Sequence, residues 1–252
     1  MNYTILASGS RGNCTLIYGG NHLIMVDCGI PKTELYNKLE TLKIDPSTIE
    51  AVLVTHEHID HIRSINEFPL SKLYSLKGSC KEEGTHVLEA YQKVQIAGFE
   101  VMPFTTSHDV VNPCGYIIKN GTETMVYVTD TGYIKESDYQ YFQNATHYIM
   151  ESNYDNEMLL NSKRPWQLQQ RIRSMEGHLS NESSARILAS VIGPSTKSIR
   201  LAHVSEDCNT KEIVLDTLFD IFDQYGIAYQ DIDIKVADRY VITEGVKNDE
   251  NR

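Results

Sequence analysis

The pattern of hydrophobic positions along this chain is dominated by short apolar runs that end in small or polar residues. Runs of this length, rich in Val, Ile and Tyr, are typical of β-strands. We predict strands at residues 3–7, 15–18, 23–27, 51–54, 99–104, 116–119, 125–129, 148–151, 199–203 and 234–236. Gly19-Gly20-Asn21 and Asn120-Gly121 separate two pairs of these runs, as β-hairpins require.

Longer amphipathic stretches predict helices between the strands, mainly in the second half of the chain. These helices are predicted at residues 31–42, 137–142, 165–175, 181–192 and 211–225. Pro31 and Pro165 are well placed for first helical turns, and Asn181 is predicted to be an N-cap. Early hairpins followed by alternating strands and helices indicate an α/β fold, in which two sheets pack together with helices outside.

The length of 252 residues allows one good hydrophobic core. We predict a single domain over residues 1–245 and a polar C-terminal tail at 246–252, and we find no internal repeat. The five cysteines are odd in number and scattered, which favours reduced thiols in a cytoplasm. The chain begins without a basic or apolar leader and contains no run long enough to span a membrane, so we expect a cytoplasmic protein without a membrane partner.

The net charge of −11 argues against a long basic groove for nucleic acid. It does not exclude nucleic acid as a substrate, because bound metal ions are themselves large local positive charges. A positive site can therefore lie within an acidic protein.

The segment Thr-His-Glu-His-Ile-Asp-His at residues 55–61 carries the strongest chemical signal, directly after the apolar run at 51–54. Four of its side chains are candidate metal ligands: His56, His58, Asp60 and His61. The first two imidazoles are two residues apart, so an extended chain presents both on one side, where they can bind one metal ion. The adjacent Asp and His diverge unless the chain turns there, for instance into a first helical turn. The alternative is a surface loop that is rich in histidine.

Further candidate ligands come at the ends of predicted strands: His108, Asp130 and His203. A polar side chain at the end of an apolar strand is where sites on α/β scaffolds tend to lie. Nitrogen and oxygen ligands without cysteine leave zinc, manganese and iron open. We therefore expect two divalent metal ions as cofactors.

Three more residues have positions that suit supporting chemistry. Asp27 ends a strand and can orient a metal-bound imidazole, although a turn-forming Asp fits the local sequence equally well. His178 lies in a loop before a helix and is an acid or base candidate. Glu151 ends another strand, and a carboxylate there can hydrogen-bond His178 and make it a better acid near neutral pH. We interpret the remaining histidines as surface or packing residues: His22, His86 and His147.

Together these residues resemble the metallo-β-lactamase superfamily, and most closely its YycJ/WalJ family of nuclease-like members. The segments that carry the resemblance are residues 8–14, 27, 56–61, 108, 129–133, 151–155, 177–182 and 201–205. The resemblance implies a four-layer αββα sandwich of two mixed sheets with helices on the outer faces. It also implies one metal ion on His56, His58 and His108, a second on Asp60, His61 and His203, and Asp130 bridging both.

The same resemblance implies a dinuclear metal-dependent phosphodiesterase, with DNA favoured as the substrate and 5′ to 3′ exonuclease action. In this hypothesis a hydroxide held by the metals attacks phosphorus, and His178, similar to an acid of the phosphodiesterase branch, protonates the leaving oxygen with the help of Glu151. Asp60 belongs to the catalytic centre as a ligand. The candidate substrate contacts are Arg11, Asn153, Ser180, Lys163 and Arg164. The three cations among them are equally consistent with solvated surface charges.

Two other functions remain open at this point. One is a glyoxalase-II-like thioesterase or another acyl hydrolase, which uses the same ligand motif but would leave the pair of Glu151 and His178 without an obvious task. The other is a non-enzymatic metal-binding regulator. The residues leave the metal identity, the exonuclease or endonuclease mode, the oligomeric state and the physiological pathway open.

Overall fold

The computed structural model describes residues 1–81 and 83–245, so the predicted polar tail at 246–252 lies outside the described residues. Within them, the chain forms two seven-stranded sheets. The strands are β1 Asn2–Ala7, β2 Cys14–Gly19, β3 His22–Val26, β4 Ala51–Val54, β5 Leu73–Leu76, β6 His86–Leu88, β7 Val94–Ile96, β8 Phe99–Thr105, β9 Cys114–Asn120, β10 Glu123–Val128, β11 His147–Glu151, β12 Ser198–Ala202, β13 Asp233–Val236 and β14 Thr243–Glu244. The helices are α1 Lys32–Thr41, α2 Ile59–Ile62, α3 Tyr139–Phe142, α4 Asn156–Leu160, α5 Trp166–Arg173, α6 Asn181–Val191 and α7 Lys211–Gln224.

The described residues divide into two compact units. The first unit consists of Met1–Thr105, Val110–Thr122 and the described chain from Asp238 onward. The second unit consists of Thr106–Asp109 and Glu123–Ala237. The prediction of a single domain over residues 1–245 stays a prediction.

The first unit contains one complete sheet, in the order β14-β1-β2-β3-β4-β5-β6. Strands β14 to β3 pair antiparallel, and β3 to β6 pair parallel. All four side chains of β4 are buried, as expected for a central strand with both faces covered. Helix α1 buries Leu35 and Leu39, one turn apart, in the same apolar cluster as Leu16, Met25 and Val52. Each fully buried leucine contributes roughly 2 kcal/mol of transfer free energy.

The first unit also holds the antiparallel strands β7, β8 and β9. The second unit holds the parallel strands β10 to β13, with α3 to α7 between and after them. Both sheets are therefore mixed, and the predicted α/β class with two mixed sheets and helices is confirmed.

Parallel pairing places successive strand ends beside one another in each unit. In the first unit Val26 of β3 is in register with Leu53 of β4, so the residues that follow these two strands are neighbours. In the second unit Val128 pairs with Met150 on the next strand, which aligns the carboxyl ends of β10 and β11. These ends are where the sequence places its candidate ligands.

The observed elements differ from the predicted ones in a few places. Predicted boundaries fall within about two residues of the observed ones, the usual uncertainty of element ends. The sequence analysis missed the short elements β5, β6, β7, β14 and α4. Pro31 and Pro165 occupy N-cap positions, one residue before the first helical turn. The N-cap of α6 is Ser180, one residue before the predicted Asn181.

No helix among residues 1–81 and 83–245 is long and apolar enough to cross a membrane.

Candidate metal centre

The histidine-rich segment of the first unit runs from β4 into the single-turn helix α2. His58 is the N-cap of α2, so the chain turns immediately before Asp60 and His61, which is the helical turn that the sequence analysis considered for these two residues. The backbone nitrogen of Cys28 donates to the carbonyl of His61 at 2.7 Å. A side chain at Gly29 would place its Cβ 1.6 Å from the carbonyl oxygen of Asp60, so only glycine lets α2 approach this closely.

Asp27 organises the imidazoles of this segment. Its carboxylate accepts the backbone N–H of Thr55 at 2.9 Å and lies 2.7 Å from Nδ1 of His61. The hydroxyl of Thr55 lies 2.9 Å from Asp27 Oδ2 and 3.0 Å from Nδ1 of His56. Asp27 therefore holds His61 directly and His56 through Thr55. In both rings Nδ1 is engaged, which leaves Nε2 as the atom that can bind a metal ion.

The electrostatics of Asp27 follow from its complete burial. Burial raises the pKa of this carboxyl group above its usual value, because its effect exceeds the opposing attraction of His61 and the hydrogen bonds from Thr55.

The imidazoles lie close together: the ring centroid of His56 is 4.8 Å from that of His58 and 3.9 Å from that of His61.

Asn13 is a further residue at this group that the sequence analysis did not single out. Its amide is oriented by the backbone N–H of Gly9, which donates to Oδ1 at 3.0 Å. The amide nitrogen lies 3.0 Å from Nε2 of His61. This hydrogen bond and a metal ion on Nε2 exclude each other, so Asn13 has to move when a metal binds there.

In the second unit, Asp130 lies among the candidate ligands from two other elements. Oδ1 of Asp130 is 3.4 Å from Nε2 of His203 and 3.9 Å from Nε2 of His108. Nδ1 of His108 lies 3.2 Å from the carbonyl oxygens of Glu176 and Gly177, so Nδ1 carries the proton. Burial lowers the pKa of His108, which favours the neutral form that a metal ligand needs.

Glu151 is saturated with hydrogen bonds in the second unit. Its Oε1 lies 2.8 Å from Nδ1 of both His178 and His203. Its Oε2 accepts the backbone N–H groups of Thr131 at 2.9 Å and Leu179 at 3.1 Å. Each oxygen therefore accepts two hydrogen bonds, and Glu151 positions two imidazoles.

The charge of Glu151 is maintained by these partners. Its burial alone would raise the pKa, but the charge and hydrogen bonds of His178 and His203 outweigh burial and bring the pKa to about 2. His178 retains a side-chain exposure of 20%, whereas Glu151 is fully buried. Only the imidazole of this pair can reach a bound molecule.

Three of these residues have unusual backbone geometry. Asp27, Asp130 and His203 have φ angles of 57°, 53° and 52°, in the left-handed region. This conformation costs a residue other than glycine about 1–2 kcal/mol. It turns the chain sharply where each strand ends, and strain of this kind is concentrated at functional sites.

Two donor atoms of the second unit have the spacing of ligands on a first-row divalent cation. Ligand atoms held at about 2.1 Å in tetrahedral geometry lie about 3.4 Å apart. The distance between Nε2 of His203 and Oδ1 of Asp130 matches this spacing. Nδ1 of His203 and of His108 is engaged by Glu151 and by a backbone carbonyl, so Nε2 of each ring keeps its lone pair for a metal ion. The His and Asp residues can therefore bind a divalent metal ion.

The predicted substrate contacts have mixed outcomes. The amide of Asn153 donates to the carbonyl of His203 at 2.7 Å, and the hydroxyl of Ser180 caps α6 by accepting from Ser183 N at 3.1 Å. Both side chains have these structural contacts, and their predicted role as substrate contacts stays a prediction. Lys163 is exposed, and Arg164 pairs with an aspartate of its own unit.

Arg11 is exposed on a loop of the first unit. Its guanidinium lies 6.0 Å from the ring centroid of Tyr240. Its predicted role as a phosphate contact stays a prediction.

The three histidines that the sequence analysis set aside have packing or surface contacts. His22 is exposed beside Glu50, and His86 stacks on Tyr74 with ring centroids 4.3 Å apart. His147 is buried, with Nδ1 2.8 Å from the hydroxyl of Ser198.

Comparisons with known proteins agree with this geometry. Residues 7–72 match the model of the metallo-beta-lactamase superfamily. The metallo-beta-lactamase fold protein YhfI from Bacillus subtilis superposes with a TM-score of 0.70 at 18% identity, covering 97% of this chain and 100% of that chain. The fold and the two groups of candidate ligands thus define a protein of the metallo-β-lactamase class.

Two curated relatives narrow the class. Exodeoxyribonuclease WalJ of Streptococcus pneumoniae is 32% identical over 94% of this chain and 93% of its own length. Exodeoxyribonuclease YycJ of Bacillus anthracis is 29% identical over 90% of each chain. The chain belongs to the WalJ/YycJ family of the metallo-β-lactamase superfamily.

Proposed function

We propose that this protein is a dinuclear, metal-dependent phosphodiesterase that acts on nucleic acid as a DNA exonuclease. Both curated relatives are exodeoxyribonucleases, which supports the substrate class, and the likeness extends over at least nine-tenths of the chain. By resemblance to the family, we infer that cleavage proceeds from 5′ to 3′.

The metal ligands in this proposal are assigned by the order of the superfamily motifs along the chain. His56, His58 and His108 would hold one ion, Asp60, His61 and His203 would hold the other, and Asp130 would serve both. Zinc, manganese and iron all suit these nitrogen and oxygen donors. When bound, the ions would neutralise the charge on the phosphate and make a water molecule a better nucleophile.

The observation that carries the proposal is the hydrogen bond between Glu151 and His178, 2.8 Å long. Hydrolysis of a phosphodiester expels an alkoxide, which leaves far more readily when an acid protonates it. A doubly protonated His178 ring gives Nδ1–H to Glu151 and presents Nε2–H to the departing oxygen. Its partial exposure allows that contact.

Glu151 acts in this mechanism through the two imidazoles that it holds. It fixes the ring of His178 for proton transfer and the ring of His203 for metal binding, with 2.8 Å contacts to both. It is therefore a positioning residue, because its complete burial keeps it away from substrate.

A cleavage assay on DNA with a labelled 5′ phosphate tests the proposal. With zinc or manganese added, the wild-type protein should release labelled mononucleotide before products of intermediate length, cut at internal positions of the DNA, appear. His178→Ala should reduce the rate by at least about 100-fold, the usual size of an acid–base contribution. Asp60→Ala should also reduce the rate strongly, because it removes a proposed metal ligand. His86→Ala is the matched control, since this imidazole stacks on Tyr74 in an exposed position.

The outcomes separate the parts of the proposal. Early internal fragments would replace the exonuclease mode with an endonuclease mode. Release of no nucleotide from any DNA or RNA, in any of the three metals, would overturn the phosphodiesterase proposal.

A further inference from the structure

Helix α5 and its flanking residues form the most positive stretch of an otherwise acidic chain. Residues 158–175, here called the basic segment, contain four cations and no carboxylate, although the whole chain carries a net charge of −11. The four cations are Lys163, Arg164, Arg171 and Arg173. This local excess is of the sign that a polyanion requires.

Two of these cations are paired, and two are not. Arg164 pairs with Asp207 at 3.0 Å, and Arg171 pairs with Asp109. Lys163 and Arg173 are both exposed, and neither forms an ion pair with any residue within 1–81 and 83–245. Their charges are available to a ligand.

The single tryptophan of the chain lies in the same segment. Trp166 begins α5 and is 64% exposed. A large aromatic side chain contributes to folding by being buried, so this exposure is not explained by the core. The apolar face of α5 is covered elsewhere, because Ile172 packs with Tyr154 and Leu159.

Helical spacing puts an aromatic, an amide and a cation on one exposed stripe. Trp166, Gln170 and Arg173 are at positions i, i+4 and i+7 of α5 and are exposed. The stripe is about 10 Å long. It combines a stacking surface with a positive charge.

The basic segment leads directly into the candidate catalytic residues of the second unit. The carbonyl of Ile172, in the last turn of α5, accepts the backbone N–H of His178 at 2.9 Å. The carbonyls of Glu176 and Gly177, just beyond the segment, hold Nδ1 of His108. A molecule bound on α5 is therefore held by the same stretch of backbone that positions His178, the proposed acid, and His108, a candidate metal ligand.

We infer that the stripe on α5 is a subsite for single-stranded DNA, in which a base stacks on Trp166 while Lys163 and Arg173 neutralise backbone phosphates. This inference rests on the proposed function, because it names where that substrate is held. Stacking on an aromatic ring accepts every base, so the subsite holds the strand without reading its sequence.

Intrinsic fluorescence gives a direct test, because Trp166 is the only tryptophan. Protein in excess chelator, with its folding verified by circular dichroism, is titrated with oligodeoxythymidylate while emission is recorded. Saturable quenching is expected, since the reporter is itself the stacking residue. The chelator prevents cleavage, so the readout does not depend on catalytic activity.

Variants then measure each contribution by fluorescence anisotropy of labelled oligonucleotide. Trp166→Ala should weaken binding roughly tenfold, and Trp166→Phe should lose less. Tyr225→Ala, at another exposed aromatic residue of the second unit, is the control and should bind as the wild type does.

The cations are tested through salt dependence. Replacing Lys163 and Arg173 together with Gln should reduce the slope of log K against log salt by about 1.4, because each phosphate contact on a single strand contributes about 0.7. The exposed lysines of the first unit supply a control with the same charge change, Lys43→Gln with Lys81→Gln, which should leave the slope unchanged.

Each outcome decides between the inference and the proposed function. Cleavage of DNA with unaltered binding by Trp166→Ala would overturn the subsite and leave the nuclease proposal standing. Binding that depends on Trp166 without any cleavage would leave the subsite standing and overturn the nuclease. If the emission shifts with protein concentration and not with oligonucleotide, the stripe binds a second copy of the chain. If it shifts with added lipid vesicles and not with oligonucleotide, the stripe binds a membrane. Either result would overturn the inference.

Discussion

Two buried carboxylates at strand ends each hold two imidazoles. Asp27 contacts His61 directly and reaches His56 through the hydroxyl of Thr55. Glu151 contacts His178 and His203 through a single oxygen. Nδ1 of each ring is engaged by the carboxylate or, for His56, by the Thr55 hydroxyl, and this contact determines which ring nitrogen is left for a metal ion or a proton.

Asp27→Asn should weaken metal binding by about 10- to 100-fold, the usual effect of losing the partner of a ligating imidazole. The amide of the new Asn places an N–H donor beside Thr55 and His61, which both need an acceptor at this position. Thr55→Ser should bind metal as the wild type does, because it keeps the hydroxyl. Thr55→Val should weaken metal binding, because His56 loses the hydroxyl that holds its Nδ1. A competition titration with a chromophoric chelator measures these affinities.

The control for that experiment is Asp45→Asn, at an exposed aspartate that caps a turn in the same unit. Unchanged metal affinity in Asp27→Asn would show that Asp27 is only a turn residue.

Glu151→Gln should reduce both metal affinity and turnover, whereas His178→Ala should reduce turnover alone. The glutamine amide cannot accept from two imidazoles and two backbone N–H groups, so the rings of His178 and His203 both lose their fixed orientation. Chelator competition and single-turnover cleavage separate the two effects. If Glu151→Gln kept full metal affinity, the link between Glu151 and His203 would be without consequence for metal binding.

At the residue scale, the sequence analysis identified Asp27, Glu151 and His178 from their positions at strand ends and in a loop. It missed Thr55 and Asn13, because a threonine after a strand and an asparagine in a glycine-rich turn are commonplace. It also missed the bond between Glu151 and His203, since 52 residues separate them and only parallel pairing of β11 with β12 makes them neighbours.

At the scale of elements, close approach of backbone determines where the ligands lie. Helix α2 rests against the turn after β3, and Gly29 is the residue that allows the contact. The sequence analysis considered a helical turn at Asp60 and His61, and the structure forms one at Ile59–Ile62, but nothing in the local sequence indicates what it packs on.

Gly29→Ala should destabilise the protein by about 3 kcal/mol, at the upper end for an overpacked site, and reduce metal affinity by displacing Asp60. The added Cβ would meet backbone, which cannot rotate away. Gly20→Ala is the matched control: its φ of +60° carries a backbone cost of about 1–2 kcal/mol, but no atom lies within 4 Å of the added Cβ. Urea unfolding and chelator competition measure both variants.

A Gly29→Ala protein with the metal affinity of the wild type would contradict the close packing of α2.

Elements that the sequence analysis missed share one physical property, which is shortness. The strands β6, β7 and β14 have two or three residues each, and so few positions carry no periodicity.

At the scale of the whole molecule, the sequence predicted an α/β fold with hairpins early and strand–helix alternation late. The order of the strands did not follow from periodicity, because the pattern of buried and exposed residues in one strand does not specify which strand pairs beside it. The resemblance of separated motifs implied a sandwich with two mixed sheets, and the two seven-stranded mixed sheets are present.

The pH dependence of folding should include a contribution from His147. Burial, with the nearby charges of Lys197 and Arg200, lowers the pKa of this imidazole to about 3, while Ser198 and Glu123 also face it. Below the pKa of about 6.5 that it has in the unfolded chain, only the unfolded state takes up the proton. Stability is therefore lost as the pH falls from about 6.5 toward 3.

His147→Gln should flatten the dependence of unfolding free energy on pH by up to about 1.4 kcal/mol per pH unit between pH 6 and 5, above the range where most carboxylates titrate. Chemical denaturation of metal-free protein at several pH values measures the slope. Ser198→Ala, which keeps the buried imidazole, is the control and should retain the wild-type slope. An identical slope in His147→Gln would show that this imidazole does not control the pH response.

The central claim is that His178 donates a proton to the leaving oxygen of a phosphodiester. The most direct measurement compares kcat/KM of His178→Ala and wild type on two substrates, a DNA oligonucleotide and thymidine 5′-(para-nitrophenyl phosphate). The proposal predicts a loss of about 10²- to 10⁴-fold on DNA and a much smaller loss on the nitrophenyl ester, because nitrophenolate leaves without a proton. Equal losses on both substrates, or no loss on DNA, would contradict it.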